Sequence, residues 1–284
     1  MNQLPQQLEM EVVERIHDFI SANSELLIQD SLLTKPMGQR VFDIVKQKAI
    51  LVFYPIEDRN EENNAFSLFD LPAADGTGIN FVYINTNKTI EKQIYAAAHE
   101  LGHLLFVDKY VKEEFPDIEE DLIVNRFAAE ILMPSEQFKR IVMTSFAEKA
   151  DDHVITWRVL FYAIIEAMEY FLVPYEAAAI RLLETDVLPL NEVDFLISGD
   201  AEFERERIDK IIEHLIGERM ESKLLRIDRK REIEGLEHLL NKAEEKKPFL
   251  SKKILRLRKE FNLLGEEQEI RLNQIINVEE SGSE

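Results

Sequence analysis

Tyr95-Ala96-Ala97-Ala98-His99-Glu100-Leu101-Gly102-His103-Leu104-Leu105-Phe106 holds two histidines four residues apart, with a glutamate directly after the first. Ile94, Ala97, Ala98, Leu101, Leu104 and Leu105 recur at spacings of three and four, which predicts a helix with a wide apolar face. Thr86, Asn87 and Thr89 offer N-caps, and Glu91 complements the positive helix end. Residues i and i+4 share a helix face, so His99 and His103 aim at one point with room for a metal ion between them. Glu100 sits about 100° round the helix, within reach of a water beside such an ion. Two histidine ligands and one glutamate base are the logic of the zinc-peptidase helix. The plain alternative is a pair of core histidines bonded to backbone. Burying these groups unpaired in so apolar a helix is costly, and a metal would supply a partner.

Downstream, Pro116 opens a second helix that runs to Met133 and stops at Pro134. Asp121, Asn125, Ala128 or Ala129, and Leu132 share one of its faces. A carboxylate, an amide one turn on, and then small residues suit close approach to the first helix. Asp121 fits as a third metal ligand, with Asn125 placed to hydrogen-bond a ligand from behind. Glu119, Glu120 and Asp121 can equally be acidic residues favoured in a first helical turn.

Upstream, three strand signals lead into the His-Glu-x-x-His helix. They are Ala49 to Tyr54, stopped by Pro55; Ala65 to Phe69; and the alternating Ile79-Asn80-Phe81-Val82-Tyr83-Ile84-Asn85. A small, mostly antiparallel sheet is the natural assembly, with parallel pairing open for one strand.

Three strings together carry a resemblance: Ile84-Asn85, Gln93-x-x-x-x-Ala98-His99-Glu100-Leu101-Gly102-His103-Leu104-Leu105, and Asn125-x-Phe127-Ala128-Ala129-x-x-Leu132-Met133-Pro134. Residues 10–185 resemble the ImmA/IrrE family of metallopeptidases. The resemblance implies a small zincin-type core that binds zinc through His99 and His103, with Glu100 as general base. It also implies a carboxylate ligand four residues before Asn125. That position is Asp121, where the family usually has the longer Glu; Glu120 is the alternative third ligand. A substrate strand would add to an edge strand at 79–85, so Ile79, Phe81 and Tyr83 are the substrate-binding candidates. Tyr83, Tyr110 and His153 are the oxyanion candidates. Several members of the family cut helix-turn-helix repressors.

Beyond this core, residues 6–29 and 37–48 read as helices, and His17 is assigned no role. Residues 135–188 read as a helical, helix-turn-helix-like segment with Trp157 in its core. Pro189 to Asp200 reads as a linker. From Phe203 to Leu239 the apolar spacing suggests one long helix. A turn follows at Glu244 to Pro248, and Leu250, Ile254, Leu257, Phe261 and Leu264 form a coiled-coil seam. The expected fold is therefore α+β. A zincin-like domain at 1–134 is followed by the segment at 135–188, a charged coiled-coil-like helical hairpin at 200–277 and a disordered tail at 278–284.

Composition narrows the function. The 284 residues contain no cysteine, which excludes disulfides, Cys-ligated zinc and thiol catalysis. The start of the chain lacks a signal-peptide pattern, and no apolar run is long enough to span a bilayer, so a cytoplasmic protein without membrane association is expected. The net charge of −21 disfavours direct nucleic-acid binding and attracts a basic partner. Residues 1–190 hold most of the excess, with 32 Asp+Glu against 16 Lys+Arg. The leading expectation is a zinc metallo-endopeptidase acting on a regulatory protein, a basic helix-turn-helix repressor, with a homodimer through the C-terminal helices as an option. The alternatives are a non-catalytic module that sequesters a transcription factor or antitoxin, and one member of a two-gene phage or toxin–antitoxin pair.

Overall fold

The computed structural model describes residues 8–27, 36–57, 64–72, 78–150, 155–198, 202–218, 222–247 and 251–281. The chain begins with α1 (Met10–Ala22), α2 (Ser24–Leu27) and α3 (Arg40–Lys46). The first helix is interrupted at Asn23, whose side-chain amide turns back to the Phe19 carbonyl at 2.8 Å. The strands β1 (Ile50–Tyr54), β2 (Ala65–Pro72) and β3 (Gly78–Asn85) follow, where alternation predicts them. They lead into α4 (Ile90–Leu104), which carries the two histidines, then α5 (Val107–Lys112) and α6 (Glu120–Leu132).

The helical segment is α7 (Ser135–Lys149), α8 (Trp157–Phe171), α9 (Tyr175–Glu184) and α10 (Leu190–Ser198). Along α8, Leu160, Phe161, Ile164, Ile165 and Met168 are buried as their spacing predicts. Trp157 is not a core residue. It opens α8 and is 49 % exposed, because the first turn lies beyond the buried face. Residues 190–198 of the stretch read as a linker form α10, and residues 199–200 lie outside the described residues. Val193 and Leu196 are fully buried, and the Leu196 carbonyl accepts the Tyr175 hydroxyl at 3.2 Å.

The C-terminal region is α11 (Glu202–Gly217), β4 (Glu232–Ile233), α12 (Leu236–Lys246), α13 (Ser251–Glu260) and α14 (Glu266–Ser281). Helices follow the core as expected, but the long helix expected over 203–239 is broken. Residues 222–231 are not helical: they turn at Leu224 and Leu225, take positive φ at Leu225 and Arg229, and lead into β4. The seam expected from Leu250 to Leu264 does not run along one helix over its described residues either, Pro248 and Leu250 lying outside them. α13 ends at Glu260, Asn262 takes a left-handed φ, and the buried residues of α13 are Ile254, Leu255 and Arg258. α14 stays helical through Ser281, so the tail expected to be disordered from 278 is helical that far.

The sheet order is β2-β3-β1-β4. β2 pairs antiparallel with β3, β3 pairs parallel with β1, and β1 pairs antiparallel with β4. Leu51, Phe53, Val82 and Ile84 point to the buried side, towards α3 and α4. Between Leu68 and Leu71 the β2 register slips, with Asp70 at φ 51°. Gly78 packs against this bulge: an added Cβ would lie 2.9 Å from the Asp70 carboxylate, which would have to turn aside, and 3.4 Å from the Asp70 Cα.

Candidate metal centre

His99 and His103 lie one turn apart on α4, their ring centroids 5.0 Å apart. Asp121, in the first turn of α6, faces both. Its Oδ1 is 3.9 Å from His99 Nε2 and 3.9 Å from His103 Nε2. Among the described residues these three form the group able to hold a metal ion, their ligand atoms all within 4.8 Å of one another. Two imidazole nitrogens and one carboxylate oxygen suit a divalent ion such as zinc, and the separations are of the size spanned by an ion about 2 Å from each. The Asp121 side chain is 77 % exposed and the histidines 22 % and 23 %, so the cluster opens to solvent on one side.

Two contacts prepare this cluster. Asn125 Oδ1 lies 2.9 Å from His99 Nδ1, so the ring N–H at Nδ1 donates there and Nε2 is left bare for a metal. Asn125 is one helical turn beyond Asp121, so a single face of α6 supplies both the carboxylate and the amide. The two helices approach closely because Gly102 lacks a side chain. A Cβ there would sit 3.1 Å from Val124 and 3.2 Å from Phe127, both fully buried.

Glu100 is nearly buried, and the Ser67 hydroxyl of β2 donates to its Oε2. Glu120 turns away from the histidines. Its Oε1 is 3.0 Å from Lys112 Nζ, and that hydrogen bond, with the charge behind it, lowers the Glu120 pKa. The structure thus groups Asp121 with the two imidazoles and leaves Glu120 outside.

Ile79, Phe81 and Tyr83 are not on an edge strand. From Phe81 onward β3 is hydrogen-bonded on both sides, to β2 and to β1, and has no free backbone to offer. Among the described residues, the strand with an open side beside the site is β2. Tyr83 stacks on Phe66 and donates to the Tyr54 carbonyl; burial pushes its phenol above the ordinary tyrosine range. Tyr110 lies under the Arg15 guanidinium, 3.6 Å from it, and packs on Phe19. The Tyr83 hydroxyl and the Tyr110 ring are therefore tied into the scaffold, and His153 lies outside the described residues.

Three features of the site were not foreseen. Ser67 was not singled out, since a lone serine in a strand carries no signal. Phe66, Leu68, Phe69 and Leu71 are exposed along β2, and the Phe69 ring lies 6.4 Å from that of Phe106, itself exposed at positive φ. The third is the non-helical segment 222–233, which grips the start of α4. The Ile90 N–H donates to the Arg226 carbonyl at 3.0 Å, and the Leu225 N–H reaches the buried Glu91 carboxylate. Thr89 holds the N-cap position, but its side chain makes no capping bond.

Compared with known families, residues 46–183 match the peptidase M78 model, described as the IrrE N-terminal-like domain. The match includes β1 to β3, α4 and α6, and so every residue of the cluster. No curated protein matches the chain. No helix among the described residues is long and apolar enough to cross a membrane.

Proposed function

From the membership of residues 46–183 in the ImmA/IrrE family, a metallopeptidase-type domain, we propose that this protein is a zinc-dependent endopeptidase acting on a basic regulatory protein of the helix-turn-helix type. The observation that carries the reading is the convergence of His99, His103 and Asp121 beside a sequestered Glu100. His99 Nε2, His103 Nε2 and an Asp121 oxygen would hold the ion. Zinc bound there supplies Lewis acidity, polarising the scissile carbonyl and acidifying the attacking water. Glu100 takes the water's proton and passes it to the leaving amine. Asn125 keeps the His99 ring in the required tautomer.

The substrate chain adds as a strand to β2, the open edge next to Glu100, and its apolar side chains find Phe66, Leu68, Phe69 and Leu71. Glu113, Glu114, Asp117, Glu119 and Glu120 form an exposed acidic rim before Asp121, which favours a basic substrate. A DNA-bound substrate places the reaction in the cytoplasm.

The test is zinc content together with cleavage. Wild type and Glu100→Gln each bind about one zinc per chain. His103→Ala and Asp121→Ala lose zinc affinity by tenfold or more, and Glu120→Ala keeps it. Incubated with the helix-turn-helix proteins of its own genome, wild type cuts one of them and Glu100→Gln cuts none. A Glu100→Gln protein that neutralises the repressor as well as wild type would move the reading to sequestration without cleavage. A wild type that binds no zinc would overturn the catalytic reading.

A further inference from the structure

We propose that Ser67 is a positioning residue for Glu100, and that through it the strand receiving the substrate also sets the catalytic base. The inference rests on the reading of Glu100 as base. It starts from the bond between them. The Ser67 Oγ–H donates to Glu100 Oε2. Strand alternation puts Ser67 on the face of β2 that meets α4, while Phe66 and Leu68 point to the other face. Ser67 is half-buried and pairs with Val82 of the inner strand β3, so its backbone is fixed on one side and lies along the open edge on the other.

A glutamate side chain has three rotatable bonds, and ordering it for catalysis requires something to hold it. With Oε2 held by Ser67, Oε1 is the oxygen left to accept the water's proton. The donated bond also partly compensates a carboxylate that is nearly removed from solvent. The Ser67 side chain makes its contact with Glu100, so the effect of its hydroxyl passes through Glu100. Serine suits the position sterically: a hydroxyl on one carbon reaches the carboxylate, and threonine keeps that reach.

The experiment uses the full-length, zinc-loaded protein and acetohydroxamate as probe, with affinity read by calorimetry. A hydroxamate gives its proton to the base when it binds the metal, so its affinity reports on Glu100 without any substrate. Glu100→Gln is expected to weaken binding about tenfold or more, and Ser67→Ala about tenfold, each retaining zinc. Ser67→Thr returns to within about twofold of wild type. On the helix-turn-helix protein that wild type cuts, Ser67→Ala lowers kcat and leaves KM unchanged.

Ser67→Ala binding acetohydroxamate like wild type, while Glu100→Gln binds weakly, overturns the positioning role and leaves the peptidase reading intact. Glu100→Gln binding like wild type overturns both. Ser67→Ala and Ser67→Thr losing affinity alike, with lowered thermal midpoints, would make Ser67 a fastener of strand to helix and overturn the proposal.

Discussion

Glu130 shows what one residue can require of its surroundings. It is buried in α6, and Arg181 of α9, itself fully buried, reaches its two oxygens at 3.0 Å and 2.6 Å. Arg126 Nε is 2.9 Å away on the same helix, and His17 Nε2 of α1 is 3.3 Å away. Glu184 and Ser135 also contact Arg181. Burial alone would raise the Glu130 pKa. The His17 hydrogen bond and the two guanidinium groups outweigh it and hold the carboxyl well below the usual range. The folded pKa is thus lower than the unfolded one. The stabilisation is complete above about pH 4.5 and is lost as pH falls from there towards the folded pKa. Between pH 5 and pH 3, wild type should therefore lose clearly more stability than Glu130→Gln in urea unfolding. At pH 7 Glu130→Gln should be less stable by roughly 3–5 kcal/mol, because Arg181 is left buried and undercompensated. Parallel pH curves for the two proteins would contradict this account. His17 had no assignable role from sequence, since a half-exposed histidine on an amphipathic helix shows no partner until α6 and α9 are in place.

Among the elements, the crossing of α4 and α6 at Gly102 sets the distance between the histidines and Asp121. Alanine there gains about 1 kcal/mol in helix propensity. Its Cβ must also push Val124 and Phe127, which are fully buried and cannot yield outward. Gly102→Ala should therefore lose about 1–3 kcal/mol and weaken zinc binding about tenfold, because the push falls on the helix that carries Asp121 and Asn125. Val124→Ala added to Gly102→Ala removes one of the crowding atoms, Val124 Cγ1, and leaves the Cβ of residue 124 and Phe127 Cδ1, so it should recover only part of the zinc affinity, a coupling that thermal unfolding and zinc titration read together. These two helices were legible in the sequence for a local reason. Each places its chemistry at i and i+4, and an apolar period fixes which way that face looks. The sheet was legible only strand by strand. Alternation tells which side chains go in, and says nothing about how many neighbours a strand has. β3 was read as an edge, yet it lies between β2 and β1. The stretch 189–200, with its proline and acidic residues, looked like a linker, although Val193, Leu196 and Ile197 stand at helical spacing.

For the molecule as a whole, the charged C-terminal region is not an appendage to the site. Its apolar residues from Phe203 to Leu239 read as one helix, but Leu224 turns into the core and residues 222–233 spend their backbone groups on other elements. The Arg229 N–H donates to the Thr86 carbonyl at 3.1 Å, and the Thr86 hydroxyl donates to the Lys230 carbonyl at 2.7 Å. Gln93 reaches Asp228, Arg226 accepts from Ile90, Glu91 accepts from Leu225, and β4 covers the outer side of β1. Pairings across more than a hundred residues of chain leave no mark in local periodicity, which is why this clamp was not legible. Helix α13 adds a second layer, with Tyr54 bonded to Glu260 and Arg231 3.0 Å from the same carboxylate. Two truncations separate the layers. A chain ending at Lys247 keeps the clamp and should keep zinc affinity within about threefold, with a modest fall in thermal midpoint. A chain ending at Gly217 leaves Glu91 buried without its donor, frees the first turn of α4 and opens the β1 edge. At roughly 1 kcal/mol for each lost hydrogen bond, about 4–6 kcal/mol disappears from a total of about 5–15. That chain should unfold far more readily, bind zinc weakly and aggregate through the uncovered strand. Hydrogen exchange gives the sharper check. In the chain ending at Lys247 the amide of Ile90, bonded to the Arg226 carbonyl, should stay protected, whereas fast exchange there with zinc affinity unchanged would mean that α4 holds its ligands without the clamp.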